Sequence, residues 1–569
     1  MRIGLIAEGG YPYVSGEARL WCDRLVRGLE QHAFDLYALS RSEQQEDEGW
    51  VPLPPQVSRV RTAPLWTAEE DGVVHGRRAR RRFAECYGEL VAVLCAGAGA
   101  ESSGASQDAS ALEADRFGNA LYGLAELARD EGGLVAALRS ESAVRTLEGA
   151  CRARGALRTA REARVPDLLA VTAHLERALR PLSLDWYEDD GLGAVDLCHA
   201  ASGGSAALPG LLAHHFWGVP LLLTEYGVRL RAHYLATTEP SPAVRSLLAA
   251  FHGRLAAETY ARAALVTPGN AHARRWQERC GADRAKLRTV YPGMDATRFA
   301  EIGEATDAAD PDTLVWVGRV EPARDLVSLL HAFAEVRKEE PKARLRVVGS
   351  ASGSEGAAYL GHCRALAAQL FPDEAEGPHT AGDNPVSFEE VGGPELPTLA
   401  EAYASGAVAV LSSVVEGFPI SLVEAMLCGR ATVSTDVGAV VEVIGGTGLV
   451  VPPRNPRALA EACVALLRDP ERRARLGAAA RARALELFTV EQNVAAFHGI
   501  YLEIVSRTPV RRVVLDQAGD PLPFAFPAEA HVPGRWTERT PRLVARGGPE
   551  RPTARPVRAT VRAATEGAR

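Results

Sequence analysis

The chain has 569 residues, of which 47% are hydrophobic and 24% charged, with a formal net charge of −8. That length argues for more than one domain, and the apolar fraction is enough for sizeable buried cores. The acidic balance excludes general attraction to nucleic acid or to a membrane surface, and no run approaches the roughly 18 apolar residues of a membrane span.

The chain opens on a strand at 2–7, a glycine-bearing loop at 8–16 and a helix from about Glu17. Ala18, Trp21, Leu25 and Leu29 share one face of that helix. A strand at 35–39 completes a βαβ opening. From about 77 to 185 the composition is Ala-, Arg-, Leu- and Glu-rich, and the segment is expected to be helical, with a flexible loop at 96–110. Strands are expected again at 195–199, 220–224, 264–267 and 287–291. A polar stretch at 301–312 marks a boundary, and a second alternation follows. Its strands are expected at 314–317, 345–348, 407–411, 431–435 and 448–451. Its helices are expected at 325–339, 457–467, 470–487 and 490–504. After about Arg507 the chain is rich in Pro, Gly and Arg without periodicity, and is expected to be a disordered basic tail.

This is an α/β chain with two doubly wound halves. The expected domains are 1–300 with a helical insert at 77–185, 301–489, a returning helix at 490–506, and the tail at 507–569. Nine cysteines are scattered without a Cys-x2-Cys pair or a metal-ligand spacing, which suggests reduced thiols in the cytoplasm. Met1 leads directly into a strand, so no signal peptide is expected. Lys286, Lys338 and Lys342 are the only lysines; arginine carries nearly all the positive charge.

Two stretches carry the chemistry. In Ser413–Met426, Glu416 sits on a glycine-containing loop after a strand, and Glu424 sits one turn inside a short helix. Phe418, Pro419 and Ile420 fall at the helix start, where free N–H groups and the dipole attract an anion or hydroxyl oxygens. In Val317–Asp325, Gly318, Arg319 and Arg324 lie where strand becomes helix. Two arginines there can hold a diphosphate and neutralise charge as it leaves a sugar. Gly417 and Gly438 mark turns in the same half. In the first half, Gly16 closes a loop whose N–H groups could approach phosphate. His199 ends one strand and is a candidate for sugar or acceptor contact; Glu225 and Tyr226 end the next.

The run at 413–426 resembles the Glu-Gly-Phe-Pro…Glu-Ala-Met signature of family-4 retaining glycosyltransferases. Val317–Asp325 is similar to that family's Gly-Arg…Lys element, with Arg324 where lysine is usual. Thr435–Glu442, containing Gly438, is similar to a further element facing the donor. Glu8–Glu17 and Leu223–Val228 resemble blocks of the PelF exopolysaccharide glycosyltransferase group. Glu17 replaces a glycine of that pattern, and Tyr226 replaces its active-site histidine. A phenol can hydrogen-bond a hydroxyl but is no neutral-pH base.

The resemblance implies a GT-B architecture, two Rossmann-like domains facing a cleft. It implies transfer of a sugar, with retention, from a nucleotide-sugar donor to a hydroxyl acceptor, in polysaccharide or glycoconjugate synthesis. A UDP-sugar is slightly preferred. Arg319, Arg324 and Glu416 are the implied catalytic residues. Gly16, Gly318, Gly417, Phe418, Pro419, Ile420, Glu424 and Gly438 are the implied donor contacts, and Glu225 and Tyr226 the implied sugar or acceptor contacts. No metal and no resident cofactor are expected, nucleic acid is not a partner, and there is room for a membrane-associated synthesis complex. The alternatives are a phosphorylase-like or sucrose-synthase-like use of the same fold, and a non-catalytic scaffold that binds a nucleotide sugar.

Overall fold

The structure is a computed structural model of the chain. It describes residues 1–15, 19–96, 106–236, 241–304, 310–372, 384–392, 396 and 398–508, with the backbone alone at 106–110 and 560–562. The chain forms two compact units. The first comprises Met1–Gly269, Ala273–Val290 and Val494–Arg569; the second comprises Asn270–His272 and Tyr291–Asn493.

The first unit carries six parallel strands: β1 (Arg2–Glu8), β2 (Ala33–Ser40), β3 (Val57–Pro64), β4 (Leu197–Ala200), β5 (Leu221–Glu225) and β6 (Leu265–Pro268). Their spatial order is β3-β2-β1-β4-β5-β6. The central strands are buried along their length, so they read as apolar runs rather than alternations. The backbone of Thr560–Arg562 pairs antiparallel with β3 at the edge. The rest of the expected tail beyond Thr508 lies outside the described residues. Between β3 and β4 the chain is helical, as expected. The helix Arg77–Cys95 packs on Ser106–Glu131 and on Glu141–Arg152, and Val165–Leu179 completes the layer. Ser140 caps one of these helices, its hydroxyl accepting from the Ala143 N–H at 3.3 Å. Of the loop expected at 96–110, residues 97–105 lie outside the described residues, and Ser106 opens a helix rather than continuing the loop.

The last helix, Val490–Arg507, returns to the first unit. Phe497, Ile500, Tyr501, Ile504 and Val505 are buried in one cluster with Ile3, Leu5, Leu25 and Phe34.

The second unit repeats the arrangement with β7 (Asp310–Val317), β8 (Arg344–Val348), β9 (Val386–Glu389), β10 (Gly406–Leu411), β11 (Ala431–Thr435) and β12 (Leu449–Val451), in the order β12-β11-β10-β7-β8-β9. Numbered from its own first strand, this is again 3-2-1-4-5-6, the doubly wound order. Each sheet therefore has one switch point, between β1 and β4 in the first unit and between β7 and β10 in the second.

Three expectations are corrected. The strand at 287–291 does not form: Leu287 bridges only Val266, and β6, its neighbour, ends at Pro268. β3 and β9 were not foreseen. β3 reads Val-Ser-Arg-Val-Arg-Thr-Ala-Pro, whose two arginines hide its apolar face. β9 is only four residues long. The division between units falls at Val290–Tyr291 rather than near residue 300. Met294 explains this: its N–H donates to Phe488 O at 2.7 Å and its carbonyl accepts from Val490 N at 3.1 Å, fastening the segment to the second unit. No described helix is long and apolar enough to cross a membrane.

Candidate active site

The switch point of the second unit brings together loops distant in sequence. After β7 the chain runs through Gly318 and Arg319 into the turn Pro322–Arg324. Asp325, at φ 48°, then caps the helix Leu326–Glu339 by accepting from Ser328 N at 3.2 Å. After β10 the loop Ser412–Pro419 leads to the helix Ile420–Leu427. Backbone acceptors of the first loop tie it to the second: Ser412 Oγ donates to Arg324 O at 2.7 Å, and Val414 N donates to Ala323 O at 2.9 Å.

That junction sets Arg324 against Glu416. Arg324 Nη1 donates to Glu416 Oε2, and its Nε donates to Glu321 Oε1 at 3.1 Å. Ser413 Oγ donates to Glu416 Oε2 at 3.2 Å, and the Gly417 N–H donates to Oε1 at 3.2 Å. The Glu416 side chain is 7% exposed and that of Arg324 18%. The pair is thus largely withdrawn from water, where an ionic contact is strong and an unmatched charge costly. Arg324 Nη2 makes no bond among the described residues. Arg319 is exposed, with no ion-pair partner among the described residues.

Gly438 closes the site from the third loop, after β11. Its φ is +59°, and a Cβ there would stand 2.5 Å from Glu416 O and 2.9 Å from Gly417 O. Both the left-handed backbone and the close approach demand glycine. The Ala439 N–H donates to Gly417 O at 3.1 Å, and Thr435 Oγ1 donates to Ser413 O at 2.6 Å. Gly318 imposes a similar demand on its neighbour: a Cβ on Gly349, after β8, would fall 1.8 Å from Gly318 O. Gly349, Ser413 and Tyr403 escaped the sequence reading. For Gly349 the available signal was a glycine directly after a strand.

Glu424 is half-buried, with the Tyr403 hydroxyl 2.9 Å from its Oε2 and 2.9 Å from Ser421 O. Burial, and then Glu424, push the Tyr403 phenol well above its ordinary value, so it stays protonated and donates. Phe418 packs edge-on to Phe488 at 5.7 Å. The helix start offers fewer free amides than expected. Pro419 has none, the Gly417 N–H serves Glu416, and the Ile420 N–H bonds back to Phe418 O at 3.0 Å. The Phe418 N–H is left without a partner among the described residues.

In the first unit, the candidates at strand ends are placed differently from one another. His199 is wholly buried. Its Nδ1 lies 2.7 Å from the Tyr501 hydroxyl and its Nε2 2.7 Å from Thr224 Oγ1. Burial drives its pKa down to about 3, so the ring is neutral. Glu225 is buried too, its Oε2 accepting from the Tyr260 hydroxyl and its carbonyl from Gln277 Nε2 at 3.1 Å. Burial pushes this carboxyl up. As placed, both residues brace the interior and present nothing to a sugar, because the groups of the fold enclose them. Tyr226 is half-buried, edge-on to Trp21 at 5.4 Å. Gly16 lies outside the described residues. A residue not foreseen, Glu8 at the end of β1, accepts from Arg41 Nε at 3.1 Å and Arg229 Nη2 at 2.7 Å. Burial pushes it up, but the two arginines together hold it below its usual value.

Among the described residues no group of His, Cys, Asp and Glu could hold a metal ion.

Residues 1–285, half of the chain, match the family model described as a domain of unknown function, DUF3492. The chain belongs to the DUF3492 family. In this DUF3492 member, residues 311–469, which hold all three loops of the second-unit site, match the model described as glycosyl transferases group 1. Similar curated proteins include a D-inositol 3-phosphate glycosyltransferase of Kineococcus radiotolerans, 33% identical over 39% of this chain and 52% of that protein. Another of that description, from a Nocardioides species, is 29% identical over 57% of this chain and 70% of that protein. The chain spans about half the length of the first of these relatives. Among solved structures, sucrose-phosphate synthase from Thermosynechococcus elongatus covers 89% of this chain and 100% of its own, with TM-score 0.53 and 17% identity. Anabaena HepE in complex with UDP covers 88% and 99%, with TM-score 0.51 and 15% identity. At these identities the likeness is one of fold: the DUF3492 member has the two parallel six-stranded sheets and flanking helices of the GT-B architecture.

Proposed function

We propose that this DUF3492 member is a retaining glycosyltransferase that moves a hexosyl group from a nucleotide sugar to a hydroxyl acceptor. The observation that carries the reading is the Arg324–Glu416 pair at the second unit's switch point, the position where open α/β sheets bind ligands. It lies inside the stretch that matches glycosyl transferases group 1.

In this reading Arg319 and the unengaged edge of Arg324 take the donor diphosphate. As phosphate oxygens draw on Arg324, Glu416 is released to accept from a sugar hydroxyl. The Phe418 N–H adds a donor, and Glu424 takes the ribose. The bond between the anomeric carbon and the diphosphate oxygen breaks, and the guanidinium groups hold the departing charge. The acceptor hydroxyl attacks on the same face and its proton passes to the leaving phosphate oxygen, so configuration is retained. The protein contributes position and charge, with arginines in the place a metal would otherwise fill. A UDP-sugar is the preferred donor, a choice supported by the UDP complex of the similar HepE fold. The acceptor belongs to polysaccharide or glycoconjugate synthesis, carried out in the cytoplasm, where a membrane-associated synthesis complex is the expected setting.

The test is nucleotide release and sugar transfer by the purified chain with UDP-, GDP- and ADP-sugars. A bound donor at ~100 times its dissociation constant should stabilise the fold by roughly 2.7 kcal/mol. Arg319→Ala, Glu416→Gln and Glu424→Gln should each lose turnover while remaining folded. Near-normal turnover in all three would remove the basis for this site. Donor binding without transfer or hydrolysis under any acceptor would favour a scaffold.

A further inference from the structure

The helical insert holds two thiols in contact. Cys95 ends the helix Arg77–Cys95, and Cys151 lies in the last turn of Glu141–Arg152. Their Sγ atoms are 3.6 Å apart, and both side chains are buried. The chain around them is fastened: the Leu157 N–H donates to Cys95 O at 2.8 Å, and Ala96 bridges Ala156. All nine cysteines are free, and this is the one pair in contact among the described residues.

We propose that Cys95 and Cys151 form an oxidisable dithiol that closes to a disulfide when the protein meets a hydroperoxide, tying the two insert helices together. A disulfide bond is roughly 2.05 Å long, so closure needs about 1.5 Å of approach. Side-chain rotation of two residues on facing helices supplies a shift of that size. Either sulfur can be the donor in the hydrogen bond between them. With Cys95 donating, that bond and then neighbouring Arg152 favour the Cys151 thiolate against the opposing effect of burial, so that Cys151 attacks and Cys95 resolves.

The chemistry balances with hydroperoxide as the oxidant. The Cys151 thiolate attacks the peroxide oxygen, the O–O bond breaks, and Cys151 becomes a sulfenic acid as hydroxide leaves. Cys95 then gives its proton to that hydroxide, making the first water, and attacks the Cys151 sulfur; the sulfenic oxygen leaves as hydroxide and takes up the proton that Cys151 released on ionising, making the second. Two thiols and one hydrogen peroxide give one disulfide and two waters.

The experiment uses the full chain, reduced and then exposed to a small excess of hydrogen peroxide. Thiols are alkylated after denaturation, and the peptides are mapped. The expected result is loss of two of the nine alkylatable thiols, recovery of a Cys95–Cys151 cross-linked peptide, and its disappearance with dithiothreitol. In Cys95→Ala, which has no resolving thiol, Cys151 should instead be trapped by dimedone. The oxidised wild type should unfold at a temperature several degrees higher, because the link encloses the long segment between the two residues. Retention of all nine thiols, a cross-link between other cysteines, or oxidation of Cys95 and Cys151 without a cross-link would each overturn the proposal. The peptide map of the wild type decides the matter even if the variant does not fold.

Discussion

Replacing Arg324 by alanine should destabilise the second unit well before any question of catalysis arises. The substitution removes the guanidinium that faces Glu416, a carboxylate 7% exposed that also accepts from a serine hydroxyl and a backbone N–H. Breaking a buried ion pair from one side typically costs about 3–5 kcal/mol, because the surviving charge is left uncompensated. In a unit of about 200 residues that lowers the unfolding midpoint by roughly 6–20 °C. Arg324→Ala/Glu416→Gln should recover at least about 1 kcal/mol of that loss, since the stranded charge is gone. Arg324→Lys should lie closest to the wild type in stability, because it keeps the charge and gives up only the forked contact with Glu321 and Ser413. Scanning calorimetry with urea unfolding on the same four proteins reads these differences. A loss below about 1 kcal/mol in Arg324→Ala, or a double variant no better than the single one, would refute the description of this pair as buried and mutually dependent.

Gly438→Ala should fold less stably and lose donor turnover, because its methyl group would displace the backbone of Glu416 and Gly417; donor titration followed by thermal shift checks it. His199, with a folded pKa of about 3, makes the first unit acid-labile. Its folded value lies below the unfolded one, so the unfolded chain takes up the proton first. The stability is present above about pH 6.5 and is lost as pH falls toward 3, about 2 kcal/mol by pH 5. Unfolding midpoints measured from pH 7 to 5 should fall less steeply in His199→Gln than in the wild type. Tyr501→Phe should cost about 1 kcal/mol by urea unfolding, since it removes the hydroxyl 2.7 Å from His199. Treatment with a chelator should leave sugar transfer unchanged, because the proposed site meets the diphosphate charge with arginine.

The doubly wound class was legible because its strands are apolar runs separated by amphipathic helices, and those runs need no partner to be recognised. Glu416 and Arg324 were legible as candidates, each in its own loop. Their pairing was not, because it depends on β7 lying beside β10, neighbours far apart in sequence. His199 and Glu225 show the opposite failure. A polar residue at a strand end can face outward or lie among its own partners, and only the helix Val490–Arg507, with Tyr501, and the helix bearing Tyr260 decide between the two. The helix start at Phe418–Ile420 was read by the general rule for free amides, whereas Pro419 and a local turn use most of them.

The first unit is not a continuous stretch of chain: Phe497, Tyr501 and Ile504 belong to the core around Ile3 and Leu5. On the ribosome, the amino-terminal sheet therefore emerges hundreds of residues before the helix that seals it. Until that helix arrives, β1 and its neighbours show water an apolar surface suited to chaperone capture or to mispairing. The second unit, whose main stretch lies between Tyr291 and Asn493, must be synthesised during this interval. Assembly order is thus written into the connectivity, and a premature stop before residue 494 would yield a first unit with an open core even though all six of its parallel strands had been made.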